Sequence, residues 1–215
     1  IDTIKKIIQD FFQEGTVTIV GSGLSLAEGI PGMGELAKKL QMEIPGLLSA
    51  TGDIKNWNNI ENDLAKGVGL EEALHNTKPS SYVEECIRKV TAIYIGEADK
   101  RLLTDIVKTG KQLRFSEYLQ RFNIRNEGMT VITTNYDRLL EYACETNEIM
   151  ADTLFVGKYI ARFKPNQSKY ASCIGVQRTN GKGKKLQYSP RVIILKPHGC
   201  LSWHLINSIP YSLPD

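Results

Sequence analysis

The apolar positions of the first fourteen residues, Ile4, Ile7, Ile8, Phe11 and Phe12, fall three or four apart, so the spacing predicts an amphipathic helix ending at Gly15. Thr16–Val20 is short and β-branched and reads as a buried strand. A glycine-rich stretch follows, and then a helix over Gly34–Met42. Between residues 55 and 125 the pattern is helical almost throughout. Asn59–Lys66, Leu70–Asn76, Ser81–Ile95 and Phe115–Phe122 each repeat at helical spacing, and Pro79 before Ser80 and Ser81 marks a helix start. With few β-branched runs, this region reads as a helical insertion. Met129–Thr133 is a second strand, leading directly into a helix with Tyr136, Leu139, Leu140 and Ala143 on one face. Tyr159–Gln187 is rich in Ser, Asn, Gly and Lys and predicts a long irregular or hairpin-bearing excursion turning at Asn180-Gly181. Arg191–Lys196 is a third buried strand and Ser202–Ile206 a possible fourth. No internal repeat is present. Strand, helices, strand, helix, strand is the order of an α/β fold with a parallel sheet.

Composition narrows the class without changing that picture. At 215 residues the chain suits one large domain or two small ones, and its 24% charged and 41% hydrophobic residues exclude wholesale disorder, collagen-like repeats and a coiled-coil rod. The net charge of +3 is too small to imply a nucleic-acid partner. It conceals a division, however. Thr153–Pro214 holds no acidic residue against ten Lys and Arg, while the residues before it hold 23 acidic and 17 basic side chains, a net of −6. The four cysteines, Cys86, Cys144, Cys173 and Cys200, are far apart with no closely spaced pair, so neither a local zinc site nor a small disulfide framework is expected. Scattered thiols suit a reducing, cytoplasmic setting. The longest aliphatic run, Val192–Leu195, is far below the roughly 18 residues of a membrane span, and no signal peptide is visible. With no initiator Met and an end at Ser-Leu-Pro-Asp soon after a strand, the chain reads as part of a longer protein, truncated at its C-terminus.

Three motifs carry chemistry. Val20-Gly-Ser-Gly-Leu-Ser-Leu-Ala-Glu-Gly-Ile-Pro-Gly32 follows the first strand. Glycines at Gly21 and Gly23 allow a tight turn and close approach of a pyrophosphate, and a following helix offers amides and its positive dipole end. Leu26 occupies the last glycine position of a GxGxxG pattern and no GK[ST] is present, so a tight turn without a ligand is the competing explanation. Thr133-Thr-Asn-Tyr-Asp137 lies at the C-terminal end of the second strand, where open α/β sheets bind ligands. Here Asn135 could instead cap the next helix, with Asp137 favoured by its dipole. Lys196-Pro-His-Gly-Cys-Leu-Ser-Trp203 follows the third strand and places His198 before a flexible glycine, suited to acid–base work or simply part of a turn. His204, in an alternating segment, reads as structural, and His75, in a helix tail, as solvent-facing. A parallel sheet would bring the three motifs to one edge.

The three motifs, in this order, resemble those of sirtuins. GSGLSLAEGIP is similar to their GAGxSxxxGIP loop, TTNYD to TQNxD and PHG to the catalytic His-Gly, and the wording is closer to the sirtuin-like NAD-hydrolase domains of bacterial anti-phage defence proteins. The resemblance implies a Rossmann-like, sirtuin-type parallel sheet over residues 1–215, with the helical insertion at about 55–125. It implies NAD as substrate, with Gly21, Ser22, Gly23 and Ser25 holding the diphosphate, Gly29 and Pro31 shaping the loop over the nicotinamide ribose, Asp137 in the NAD pocket, and Asn135 and His198 catalytic. It also implies a gated enzyme that is homo-oligomeric or coupled to a sensor such as a HerA-type ATPase. Direct nucleic-acid contact and membrane association are not expected. The departures matter equally: Ser22 stands for Ala, Thr134 for Gln, and Gly32-Met33-Gly34 stands where deacetylases carry an Arg. No four-cysteine zinc module or metal site follows the histidine, and the glycine-serine motif for the adenosine half is absent. NAD hydrolysis is therefore the expected activity, with deacylation or ADP-ribosyl transfer, and non-catalytic NAD or ADP-ribose sensing, as alternatives.

Overall fold

The computed structural model describes residues 15–122, 124, 128–179 and 183–213. The expected N-terminal helix and the Asn180-Gly181 turn lie outside the described residues. The chain divides into two compact units, residues 1–24 with 106–215 and residues 25–105.

The first unit is built on four parallel strands, β1 (Val17–Val20), β2 (Met129–Thr133), β3 (Met150–Asp152) and β8 (Arg191–Leu195), in the spatial order β1-β2-β8-β3. Strands β2 and β8 are central, and Val131, Val192 and Ile194 are fully buried, as parallel strands covered on both faces require. Strand β1 is not the buried strand its β-branched run predicts. It lies at the edge of the sheet, and Val17 and Ile19 are 52% and 78% exposed. Its residue types mark strand propensity rather than burial. Helix α7 (Leu139–Glu145) packs on β3 and β8 through Leu139, Leu140, Ala143 and Cys144, and helix α6 (Arg114–Leu119) packs on α7. The fourth parallel strand is β3, whose three residues carry too short a pattern to be recognised. Its Asp152 is buried and accepts a 2.5 Å ion pair from Arg191 of the adjacent strand.

The candidate strand at Ser202–Ile206 belongs elsewhere. Observed as β9 (Trp203–Ile206), it pairs with β10 (Ile209–Ser212) in a separate antiparallel sheet with β5 (Ala161–Phe163) and β4 (Phe155–Val156). Asn207 and Ser208 join β9 to β10 with φ of 51° and 62°, the left-handed pair that a two-residue hairpin turn demands. Phe155 meets Phe163 and Trp203 to form this sheet's aromatic contacts. The basic excursion contains helix α8 (Pro165–Ala171) and the hairpin β6 (Cys173–Thr179) with β7 (Gly183–Tyr188).

The second unit is helical. Helix α1 (Ser22–Ala27) straddles the division, α2 spans Met33–Leu47, α3 Thr51–Ala65, α4 Leu70–Asn76 and α5 Ser81–Thr109, whose end belongs to the first unit. Leu40, Ile44, Trp57, Ile60, Ala73 and Val83 form its core and are essentially inaccessible. Helix α2 runs beyond the predicted Met42 and contains Pro45. Pro45 gives up the amide that would donate to the carbonyl of Gln41, and Ile44 anchors this last turn in the core. Helix α5 likewise continues past Ile95, holding Ala98 and Leu102 buried. Its start matches the Pro-Ser-Ser signal: Ser80 Oγ accepts from the amide of Val83 at 3.3 Å and donates to Asp53 at 2.6 Å.

Candidate functional site

The parallel register sets the site. Val20 of β1 lies beside Thr133 of β2, and Ile132 beside Leu195 of β8, so three adjacent strands end at one level. The loops that leave these ends carry the three motifs.

After β1 the chain does not run through an open glycine loop. Gly21 alone separates the strand from α1, and Ser22 and Gly23 are already helical. An added Cβ at Gly21 or Gly23 would meet no atom within 4 Å among the described residues, and neither residue has a left-handed φ. Glycine is thus required there by neither backbone conformation nor internal packing. The carbonyl of Gly21 accepts from the amide of Leu24 at 3.2 Å.

Within the second unit, α1 closes on a Schellman motif. Gly29 adopts φ +90°, its amide bonds to the carbonyl of Leu26, and the amide of Ile30 bonds to that of Ser25. Glycine at position 29 therefore has a conformational cause. Ile30 is buried, Pro31 follows as is common past such a terminus, and Ser25 is buried as well.

After β2, residues 134–138 form a loop rather than the start of a helix, so Tyr136 lies outside α7. The cause is Asp137, whose Oδ1 accepts from the amide of Leu139 at 3.1 Å and begins the helix there. Asn135 does not cap it. Its amide bonds to Thr133 Oγ1 at 3.1 Å, and its Nδ2 donates to the carbonyl of Gly21 at 3.0 Å, tying the second motif to the first. Asn135 is half-buried and Asp137 buried.

After β8, Lys196-Pro197-His198-Gly199 is a tight turn. The amide of Gly199 bonds to the carbonyl of Lys196 at 3.0 Å, Gly199 takes φ +91°, and His198 is exposed at the centre of the turn. Two bonds join this turn to the loop after β2: the Leu201 amide donates to the carbonyl of Tyr136 at 3.0 Å, and Lys196 Nζ donates to the carbonyl of Asp137. His204 is exposed on β9 and His75 is exposed on α4.

Lys196 and its surroundings were not assigned a role from the sequence. The side chain is fully buried and pairs with Glu141 of α7 at 2.9 Å, with Cys200 Sγ 3.6 Å away. Burial pulls the Lys196 ammonium down, but the charge of Glu141 and the contacts with Cys200 and Asp137 outweigh it, so it titrates above the ordinary lysine range. Burial pushes the Glu141 carboxyl up, with Lys196 opposing. The second oxygen of Glu141 is buried without a hydrogen-bond partner among the described residues. A lysine at the end of an aliphatic strand, directly before Pro-His-Gly, was the available signal.

A separate cleft of about 430 Å³ lies beside α7 and is lined by Arg138, Glu141, Phe155, Lys158, Tyr159 and Trp203 among others. None of the predicted site residues lines it. No group of three or more metal-ligating side chains is found among the described residues. Among those residues, too, no helix is long and apolar enough to cross a membrane.

The family model of the SIR2-like domain matches residues 129–212, from the first residue of β2 to the last of β10. This segment is similar to SIR2-like domains. It contains Asn135, Asp137 and His198, whereas the glycine motif and the helices before Met129 lie outside the match. SIR2-like domains are in general NAD-dependent enzymes, which relates this segment to NAD chemistry. No curated protein matches the chain.

Proposed function

We propose that the chain is the catalytic part of an NAD⁺ glycohydrolase, which cleaves the bond between nicotinamide and ribose to give nicotinamide and ADP-ribose. The observation that carries this is the hydrogen bond from Asn135 to the Gly21 carbonyl, together with the two bonds joining the Asn135 loop to the His198 turn. They gather an amide, a histidine and an unobstructed glycine turn at one sheet edge, the place where Rossmann-like folds bind dinucleotides. Gly21, Ser22 and Gly23, with Ser25, are assigned to the diphosphate. Gly29 and Pro31 are assigned to the loop over the nicotinamide ribose, and Asp137 to the pocket wall while it starts α7. The space that the described residues leave open at Gly21 and Gly23 suits a phosphate brought close to the backbone.

Nicotinamide leaves NAD⁺ as a neutral molecule, so no general acid is needed. The scission passes through an oxocarbenium-like state, as in glycoside hydrolysis. Asn135 orients ribose hydroxyls or the attacking water, and His198 accepts a proton as attack develops, a contribution of about 10²–10⁴-fold. On the same resemblance, the enzyme is a gated effector of anti-phage defence, acting as a homo-oligomer or with a sensor such as a HerA-type ATPase.

Asn135→Ala and His198→Ala are each expected to lose nicotinamide release while remaining folded, measured by chromatography of NAD⁺ digests and by circular dichroism. Full activity in either variant overturns the assignment. Mass spectrometry of the products separates the alternatives: free ADP-ribose marks hydrolysis, acyl-ADP-ribose or modified protein marks transfer, and saturable binding without nicotinamide marks a sensor.

A further inference from the structure

On the footing of the NAD⁺ cleavage proposed above, we infer that Lys196 is the positioning residue of the site: its buried ammonium holds the Asn135 loop and the His198 turn in register. The geometry is specific. Lys196 follows the last residue of β8 directly, so its backbone begins the turn that carries His198, and its carbonyl accepts the Gly199 amide that closes this turn. Its side chain points the other way, into the protein, where Nζ donates to the backbone carbonyl of Asp137, two residues after Asn135. One residue therefore binds the histidine turn through its main chain and the asparagine loop through its side chain. The Leu201-to-Tyr136 bond lies alongside, so consecutive carbonyls of the asparagine loop are both held from the histidine segment.

Glu141 serves this arrangement. Burying an ammonium without a countercharge is costly, and Glu141 sits 2.9 Å away on the first turn of α7, with one oxygen on Lys196 and the other unpartnered among the described residues. Lys196 touches no reacting atom in this scheme. It acts through the placement of Asn135 and His198, and displacement by about an ångström is enough to cost up to roughly a hundredfold in rate.

The test compares the unmodified chain with Glu141→Gln, Lys196→Met/Glu141→Gln and Lys196→Arg. Glu141→Gln removes the countercharge at a cost in stability but keeps an acceptor for Nζ, so in the folded variant the Asp137 bond and most of kcat are expected to remain. The double variant removes the buried charges together. It is expected to fold but to lose about tenfold to a hundredfold in kcat with KM little changed. Lys196→Arg retains a cation against Glu141, which protects the fold if the double variant does not survive. Its planar fork cannot place a single donor where the ammonium sits, and the same loss of kcat is expected. Amide hydrogen exchange, followed without NAD⁺, reads the device independently of activity: the Leu201 amide should stay protected in Glu141→Gln and lose protection in both Lys196 variants. Unaltered protection of Leu201 in a folded Lys196 variant overturns the inference, as does unaltered kcat. If the unmodified chain shows no NAD⁺ cleavage, the proposed reaction fails, and the exchange result still decides whether Lys196 holds the two segments together.

Discussion

Asn135 and Asp137 stand two positions apart in one motif and do different things. The asparagine amide crosses to the Gly21 carbonyl, whereas the aspartate carboxylate turns to the helix that follows. Residue types alone permitted the reverse, since either can cap a helix. The cysteines show how burial separates residues of one kind. Burial pushes the Cys144 thiol well above its ordinary range, and it also raises Cys200, although Lys196 pulls in the other direction. Cys86 is buried and Cys173 is exposed on β6. Since the thiolate is the reactive form, iodoacetamide at neutral pH is expected to modify the native protein at Cys173, with the other three reacting only after unfolding. Peptide mapping by mass spectrometry checks this, and rapid native alkylation at Cys200 would contradict the packing around Lys196.

Helix and strand boundaries follow local chemistry where a cap or a turn is written into the chain. Ser80 begins α5 by accepting the Val83 amide and also reaches Asp53 of α3. Ser80→Ala removes both bonds and is expected to destabilise by about 1 kcal/mol, read from the midpoint of urea unfolding. Gly29 ends α1 because only a residue tolerant of φ +90° closes that motif without strain. Other elements were illegible for equally local reasons. Strand β3 has three residues, too few for a period, and β10 contains Pro210, which lowers any strand assignment. The start of α7 moved to Leu139 because the Asp137 side chain supplies the first bond, and that choice depends on a rotamer rather than on spacing.

At the scale of the whole molecule, two units with separate packing share one chain, and the division passes through α1 between Leu24 and Ser25. Gly21, Ser22, Gly23, Asn135, Asp137 and His198 belong to the first unit, and Ser25, Gly29 and Pro31 to the second. A dinucleotide held by residues of the first unit would bind the folded chain and not the unfolded one. In His198→Ala, where turnover is removed, NAD⁺ at a hundredfold excess over its Kd is expected to add about 2.7 kcal/mol of stability. For a chain of this size that raises Tm by several degrees, measurable by scanning fluorimetry. An unchanged Tm over millimolar NAD⁺ would count against the assigned cofactor residues.

The α/β class, strands β1, β2 and β8, the longer helices and the three motifs were legible in the sequence, because hydrophobic period, β-branching and glycine placement are local properties. The similarity of residues 129–212 to SIR2-like domains was legible for the same reason, since TTNYD and PHG are short contiguous strings. Only the tertiary structure decided that Ser202–Ile206 leaves the parallel sheet, that β1 exposes its aliphatic side chains, and that Asn135 bonds to Gly21 across 114 positions. The register of parallel strands places their ends at one level, and register is a long-range property that no window of sequence contains. The buried Lys196 with its partners on two segments is of the same kind: a lysine in a string looks solvent-bound until folding surrounds it.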